Sequence, residues 1–242
     1  MAGCLALFAL CAVAAPARAQ ALNEGFNDIT TLTGAGWVMQ NLSQAPGTSG
    51  WSQGDNNVFP AHMGAQPTSY ISANFENAGD FPGVQDTISN WLMSPVRTFN
   101  NGDTISFWAQ SATASGIPQF ADRLQLRLST NGASVNVGAT ATSVGDFTSL
   151  LRDINSNYGQ AAEQYVLDTT WIQFNVTLTG IPAPNTMGRF AFRYFVENGG
   201  PNGLRSNYIG IDTVSHTPVP EPATLALLAG SLLLIRRRRP SN

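Results

Sequence analysis

The sequence predicts an all-β protein whose body is a two-sheet β-sandwich. Three observations carry this. Apolar and polar residues alternate with a period of two over several segments, tight-turn residues separate those segments at short intervals, and a single stretch shows helical spacing. In chain order, short strands are expected at residues 22–26, 36–40, 69–74 and 91–93. Residues 104–110 set Ile105, Phe107 and Ala109 on one face, and residues 123–128 alternate strictly as Arg-Leu-Gln-Leu-Arg-Leu. Residues 171–179 put Ile172, Phe174, Val176 and Leu178 opposite Gln173, Asn175, Thr177 and Thr179. Residues 189–197 align Phe190, Phe192, Tyr194 and Val196, and a last strand is expected at 208–214. Each pattern describes a strand with one buried and one wetter face.

Turn chemistry separates these segments. Asn100-Asn101-Gly102-Asp103 is a tight turn, and Asn131-Gly132 and the run from Asn198 to Gly203 are further breaks. Phe147, Leu150, Leu151 and Ile154 fall at helical spacing, so residues 146–155 are expected as the one helix, with Asp146 as its N-cap. An irregular loop is the alternative there. Residues 45–67 read as a long polar loop with a short strand around Trp51, and residues 217–222 as a Pro-rich linker.

Both ends are targeting segments. Residues 5–15 are apolar and Ala17-Arg18-Ala19 is a small-x-small cleavage site, so a signal peptide is expected at 1–19 and a mature start at Gln20. No Lys or Arg precedes Arg18, so either the signal is a weak one or the true start lies upstream of Met1. Cys4 and Cys11 are the only cysteines, so the mature body holds no disulfide and no thiolate metal site. The apolar run continues past Cys11, against a lipoprotein start. Without the two ends the body keeps seven arginines, no lysine and fourteen acids, a net charge of about −7. That argues against binding nucleic acid or anionic lipid through broad electrostatics. About 200 residues suit a single domain, expected at 20–216.

The C-terminal tail reads Val219-Pro220-Glu221-Pro222, then an apolar run at 223–235, then Arg236, Arg237, Arg238 and Arg239. The apolar run is shorter than the roughly 20 residues a spanning helix needs. The arginines would stay on the cytoplasmic side, and the two prolines keep Glu221 extended and accessible. This tail resembles the PEP-CTERM sorting signal of Gram-negative bacteria. The resemblance implies export, transient inner-membrane attachment through a sorting helix at 223–242, and processing by an exosortase. A C-terminal anchor that is never cut is the alternative.

The body carries a second resemblance. Glu24-Gly25-Phe26, Gly36-Trp37, Ser69-Tyr70-Ile71, Trp91-Leu92-Met93-Ser94-Pro95 with Phe107-Trp108, and Ile211-Asp212-Thr213-Val214 occur in an order that resembles the choice-of-anchor J domain. That domain is related to cleaved adhesin domains of gingipain-type proteins and more distantly to MAM-like jelly rolls. The resemblance implies a jelly-roll-type sandwich and an acidic residue on the first and last strands, here Glu24 and Asp212. Thr213 stands where the second acid of the last-strand pair would be. Two carboxylates, with Asn27 or Asp28, could seed a structural Ca²⁺ site, or Glu24 and Asp212 hydrogen-bond backbone groups at strand ends.

Catalytic motifs are sparse. His62 reads as a loop histidine and His216 as a solvated linker residue, and the chain has no Gly-x-Ser-x-Gly elbow, His-Glu-x-x-His zinc motif or phosphate loop. Asp80, Asp86, Asp122 and Asp153 are the acids from which a glycosidase pair would be drawn. Trp91 and Trp171, at strand starts, read as packing residues. Trp51 in the long loop and Trp108 on the face opposite Phe107 are the candidates for stacking on sugars. The expectation is an exported surface or matrix protein with a structural or adhesive role, not an enzyme, with extracellular polysaccharide as a partner. A carbohydrate-binding module is the first rival and a glycoside hydrolase the second.

Overall fold

The computed structural model describes residues 21–79, 86–112, 120–158 and 170–219. The signal peptide expected at 1–19, Gln20, Asp80 and the tail from Pro220 to Asn242, with Pro220, Glu221, Pro222 and Arg236 to Arg239 of the expected sorting signal, lie outside the described residues. Among the described residues no helix is long and apolar enough to cross a membrane.

The body is a sandwich of two antiparallel sheets. One contains β1 (Leu22–Glu24), β3 (Ser52–Gln53), β4 (Ile71–Asn74), β7 (Thr104–Ser111), β10 (Ile172–Thr177) and β12 (Tyr208–Thr217), in the order β10-β7-β12-β4-β3 with β1 also beside β12. The other contains β2 (Val38–Asn41), β5 (Asp86–Met93), β6 (Arg97–Phe99), β8 (Leu124–Ser129), β9 (Ser149–Ile154) and β11 (Thr186–Gly199), in the order β2-β5-β11-β8-β9 with β6 also beside β11. Apart from β3 with β4 and β8 with β9, paired strands are not consecutive in the chain, as in a jelly roll.

The alternating residues meet between the sheets. Phe174 lies opposite Phe107 in the ladder, their rings stacked at 5.2 Å, and Phe107 meets Phe192 of the other sheet edge-on at 4.8 Å. Trp37, Leu92, Phe190, Tyr194, Ile209 and Ile211 complete this core at 1% exposure or less. Each such side chain contributes about 1.5–3 kcal/mol by leaving water.

Two expectations fail on the fold. Residues 146–155 form no helix; β9 occupies 149–154 and pairs with β8 across a bulge between Leu126 and Arg127. The helically spaced residues separate, Ile154 into the inter-sheet core, Phe147 into a cluster outside the second sheet, and Leu150 into solvent. The open edge of β8 supplies hydrogen bonds to a segment too short to hold a helix alone. Asp146 caps nothing and accepts from Ser134 and Asn131.

His216 is not a solvated linker residue; it is fully buried. A bulge between Asp212 and Ser215, with Thr213 at φ 50°, resets the alternation of β12. The strand then runs on to Thr217, placing His216 opposite Ile105 on the inner face. Strand β6 went unforeseen because three residues give no readable period.

Candidate functional site

Each sheet has part of its outer face covered by the chain's own loops, while outward residues of β10 and β9 stay exposed. On the first sheet, β12 sets Gly210 opposite Gln110 and Asp212 opposite Trp108, and β10 sets Gln173 against Trp108. The segment between β3 and β4 crosses this face. A Cβ on Gly210 would stand 2.8 Å from Phe59 and from Trp171 and 2.9 Å from Tyr70, so only glycine admits the crossing. Phe59 stacks on Tyr70 at 5.2 Å and meets Trp171 and Tyr208 edge-on, both at 5.4 Å. The Trp171 indole donates to the Pro60 carbonyl at 2.9 Å, and the Tyr70 hydroxyl donates to the Asp55 carbonyl at 2.8 Å. Burial raises the Tyr70 hydroxyl well above its usual range, with Tyr208 adding to the effect.

Trp108 lies under this loop. The His62 ring stacks on it at 3.7 Å and 17°, and Trp108 is half-buried. The stacking face that a sugar would use is taken by the chain's own imidazole. Trp51 is a clear correction: it is 7% exposed and belongs to the inter-sheet core. The β3–β4 register sets Ser52 against Ser72 on the outer face, their hydroxyls 3.0 Å apart, so the preceding residue turns inward.

Glu24 and Asp212 lie on opposite faces of the first sheet. Glu24 is opposite Val214, an inward residue, whereas Asp212 is opposite Trp108 on the outer face. Glu24 accepts from the Phe26 amide at 2.8 Å. Asp212 accepts from the Met63 amide at 2.9 Å and the Thr213 hydroxyl at 3.1 Å, and burial raises its carboxyl above the usual range. Asp28 caps the short turn at 29–31 through Thr30. Among the described residues no group of three or more His, Cys, Asp or Glu stands together as a metal site.

The second sheet is covered by residues 130–147. Phe147 and Val137 pack on Trp91, Met93 and Ala191. Arg193 is 1% exposed, its guanidinium 4.8 Å from the Trp91 ring and 3.9 Å from the Phe195 ring. It donates to Ser89, Gln125 and the Ala141 carbonyl. Burial pushes it down to about 9. This residue straps the covering loop to the sheet.

The two ends of the sandwich differ. At the end where β12 begins, two clefts flank Phe75, which is 37% exposed. One, of about 540 Å³, is lined by Pro46, Thr48, Glu76, Gly79 and Pro201; the other, of about 230 Å³, by Phe120, Gly203 and Asn207. Beneath them Asp122 is buried, accepting from the Ser111 and Tyr194 hydroxyls, both at 2.5 Å, and from the Asn207 amide at 2.7 Å. Burial raises its carboxyl despite these donors.

At the other end, where β12 finishes, Asp103 of the Asn-Asn-Gly-Asp turn is fully buried. One carboxylate oxygen accepts from the Asn100 amide at 2.9 Å and faces His216 Nε2 at 3.1 Å. The other accepts from the Val219 amide at 2.9 Å. Phe99 meets the imidazole edge-on at 5.1 Å, and burial lowers the proton affinity of His216.

Three of the four acids named for a glycosidase pair lie among the described residues, each in a different setting. Asp122 is held as above, Asp153 is paired with Arg123 at 2.6 Å, and Asp86 is 2% exposed at the start of β5. Sequence reasoning missed Asp103, Phe75 and Arg193. The turn motif could have pointed to Asp103, since an acid closing a tight turn accepts from the turn's own amide.

No protein-family model and no curated protein matches this chain. Among solved structures it is similar to the K1 cleaved adhesin domain of Lys-gingipain from Porphyromonas gingivalis W83, at 18% identity and a TM-score of 0.52, over 83% of this chain and 99% of that one. It is also similar to the K2 cleaved adhesin domain of Lys-gingipain, at 19% identity and a TM-score of 0.49, over 82% of this chain and 98% of that one. A family 11 carbohydrate-binding module from Clostridium thermocellum, in complex with a mixed-linked tetrasaccharide, gives 10% identity and a TM-score of 0.40, over 82% of this chain and 97% of that one. The first match is a likeness of fold: this body is a jelly-roll-type sandwich like the adhesin domain.

Proposed function

We propose that the chain is an exported surface or matrix protein, sorted by its PEP-CTERM-like tail, whose β-sandwich at 20–216 has a structural or adhesive role and no catalytic one. The observation that carries the reading is how the body is finished. Loops held by Gly210, Trp108, Asp212 and Arg193 cover part of both outer faces, and buried Asp103, Asp122 and Asp212 are bound to donors of the fold. This is a passenger built to be stable outside the cell, set between an export segment and a sorting segment. Exosortase and, transiently, the inner membrane are its processing partners. The test compares the full chain with one ending at Val219 in an exosortase-bearing host. The full chain is expected at the cell surface and the shortened one in the medium; equal surface retention would reject the sorting role.

A carbohydrate-binding role is the second reading, favoured by one observation: Phe75 stands exposed between two clefts with Thr48 and Glu76 beside it. An aromatic ring with flanking hydroxyl and carboxylate groups is suited to a neutral sugar. A glycan array on the exported protein, repeated with Phe75→Ala, decides it. A hit lost in the variant supports binding at this cleft, and a hit kept in the variant places it elsewhere.

A further inference from the structure

The last described residue before the Pro-Glu-Pro motif is fixed to the body. Val219 donates its amide to buried Asp103, and its side chain rests over Gly102, where a Cβ would stand 3.2 Å from Cγ1. Three residues lie between Val219 and Ala223, where the apolar run begins, so four extended steps keep these points at most about 14 Å apart. A body tethered this closely cannot tumble freely above a membrane that holds the tail.

The end that carries Val219 is made of two segments locked together. The Asn101 side chain donates to the Ile181 carbonyl at 3.1 Å and accepts from the Ile181 amide at 2.9 Å. Asn100 accepts from the Asn185 amide at 2.8 Å. The turn at 100–103 and the loop at 178–185 hold one acid between them, Asp103, and it is buried. The rest is Asn, Thr, Gly, Pro and apolar residues. In a body of net charge about −7, these two segments present no exposed carboxylate to anionic headgroups. The Phe75 clefts lie at the opposite end of β12, about 30 Å away for a ten-residue strand.

We infer that the turn at 100–103 and the loop at 178–185 form the face turned to an anionic lipid surface while the tail is inserted, with Asp103 as the clamp that sets the standoff. The cleft end then faces outward. The inference rests on the reading of 223–235 as a membrane-inserted segment.

The test uses the full chain with Cys4→Ser and Cys11→Ser, exported, recovered from membranes and reconstituted into vesicles of phosphatidylethanolamine and phosphatidylglycerol. A fluorophore is placed at Ala183→Cys in the proximal loop or at Leu204→Cys, which is 69% exposed at the distal end. A nitroxide on the lipid headgroup is expected to quench the label at 183 severalfold more than that at 204. A Gly-Ser spacer of about 20 residues after Val219, reaching about 25 Å, is expected to remove the difference. Vesicle-bound protein with equal quenching at both sites, or a difference that survives the spacer, overturns the inference alone. Protein that fails to associate with the vesicles overturns the tail reading and the inference with it.

Discussion

Replacing Asp103 by alanine is expected to destabilise the protein by about 3–5 kcal/mol. The side chain accepts from the Asn100 and Val219 amides and pairs with His216, and it has no exposure. Stranding the fully buried imidazole costs about 1–3 kcal/mol, and each backbone amide, which water can partly reach, about 1 kcal/mol. The sum agrees with the cost of breaking other buried polar pairs. For a body of this size it lowers the melting temperature by roughly 6–20 °C, read by circular dichroism or calorimetry. Asp103→Asn is milder, at about 1–2 kcal/mol. Its single carbonyl oxygen serves one side of the site, so either Asn100 or Val219 loses its acceptor. Hydrogen exchange at those two amides reports which. An alanine variant within about 1 kcal/mol of the parent, or an asparagine variant with both amides still protected, would refute the clamp.

Acid should weaken the fold through His216. Burial holds its folded pKa below the unfolded value near 6.5, so the unfolded chain binds the extra proton first. Stability is full above about pH 6.5 and falls with pH until the folded imidazole also protonates; urea titrations should show this, and His216→Gln should flatten it. Gly210→Ala should cost about 1–3 kcal/mol by driving a methyl into Phe59 and Trp171, and an unchanged melting temperature would contradict the loop packing. Asp122→Ala should cost about 3–5 kcal/mol, whereas Asp122→Asn, still accepting from Tyr194 and Asn207 while donating to Ser111, should stay within about 1 kcal/mol. Because Glu24 and Asp212 lie on opposite faces, they should not share a Ca²⁺ ion, so calorimetry with Ca²⁺ after chelation should give the same heat and melting shift for the parent, Glu24→Gln and Asp212→Asn.

The strands were legible where alternation was long. Phe107, Phe174, Phe190 and Phe192 point inward as their spacing requires, because a period of two leaves one choice of face once one side is buried. The surface was less legible. Trp108 was correctly placed outside, but nothing local told that His62 would sit on it, since that contact joins a long loop to a strand 46 positions on. Trp51 was misjudged although a short strand was expected around it, because two paired residues give no readable alternation and only the β3–β4 register shows that Trp51 turns inward. His216 was misjudged because the bulge at Asp212 to Ser215 shifts the phase of β12, which a strict alternation reads wrongly. Asp103 and Arg193 act through pairings that only the folded chain creates.

The folded body is proposed to reach the surface by way of segments removed in transit. Intact-mass measurement of the protein from the extracellular or surface fraction tests it most directly. An N-terminus at Gln20 and a C-terminus near Pro220 to Pro222 are expected, with the tail retained in the inner-membrane fraction. A surface protein that still ends in Asn242, or an intact Met1–Asn242 chain confined to the cytoplasm, would contradict it.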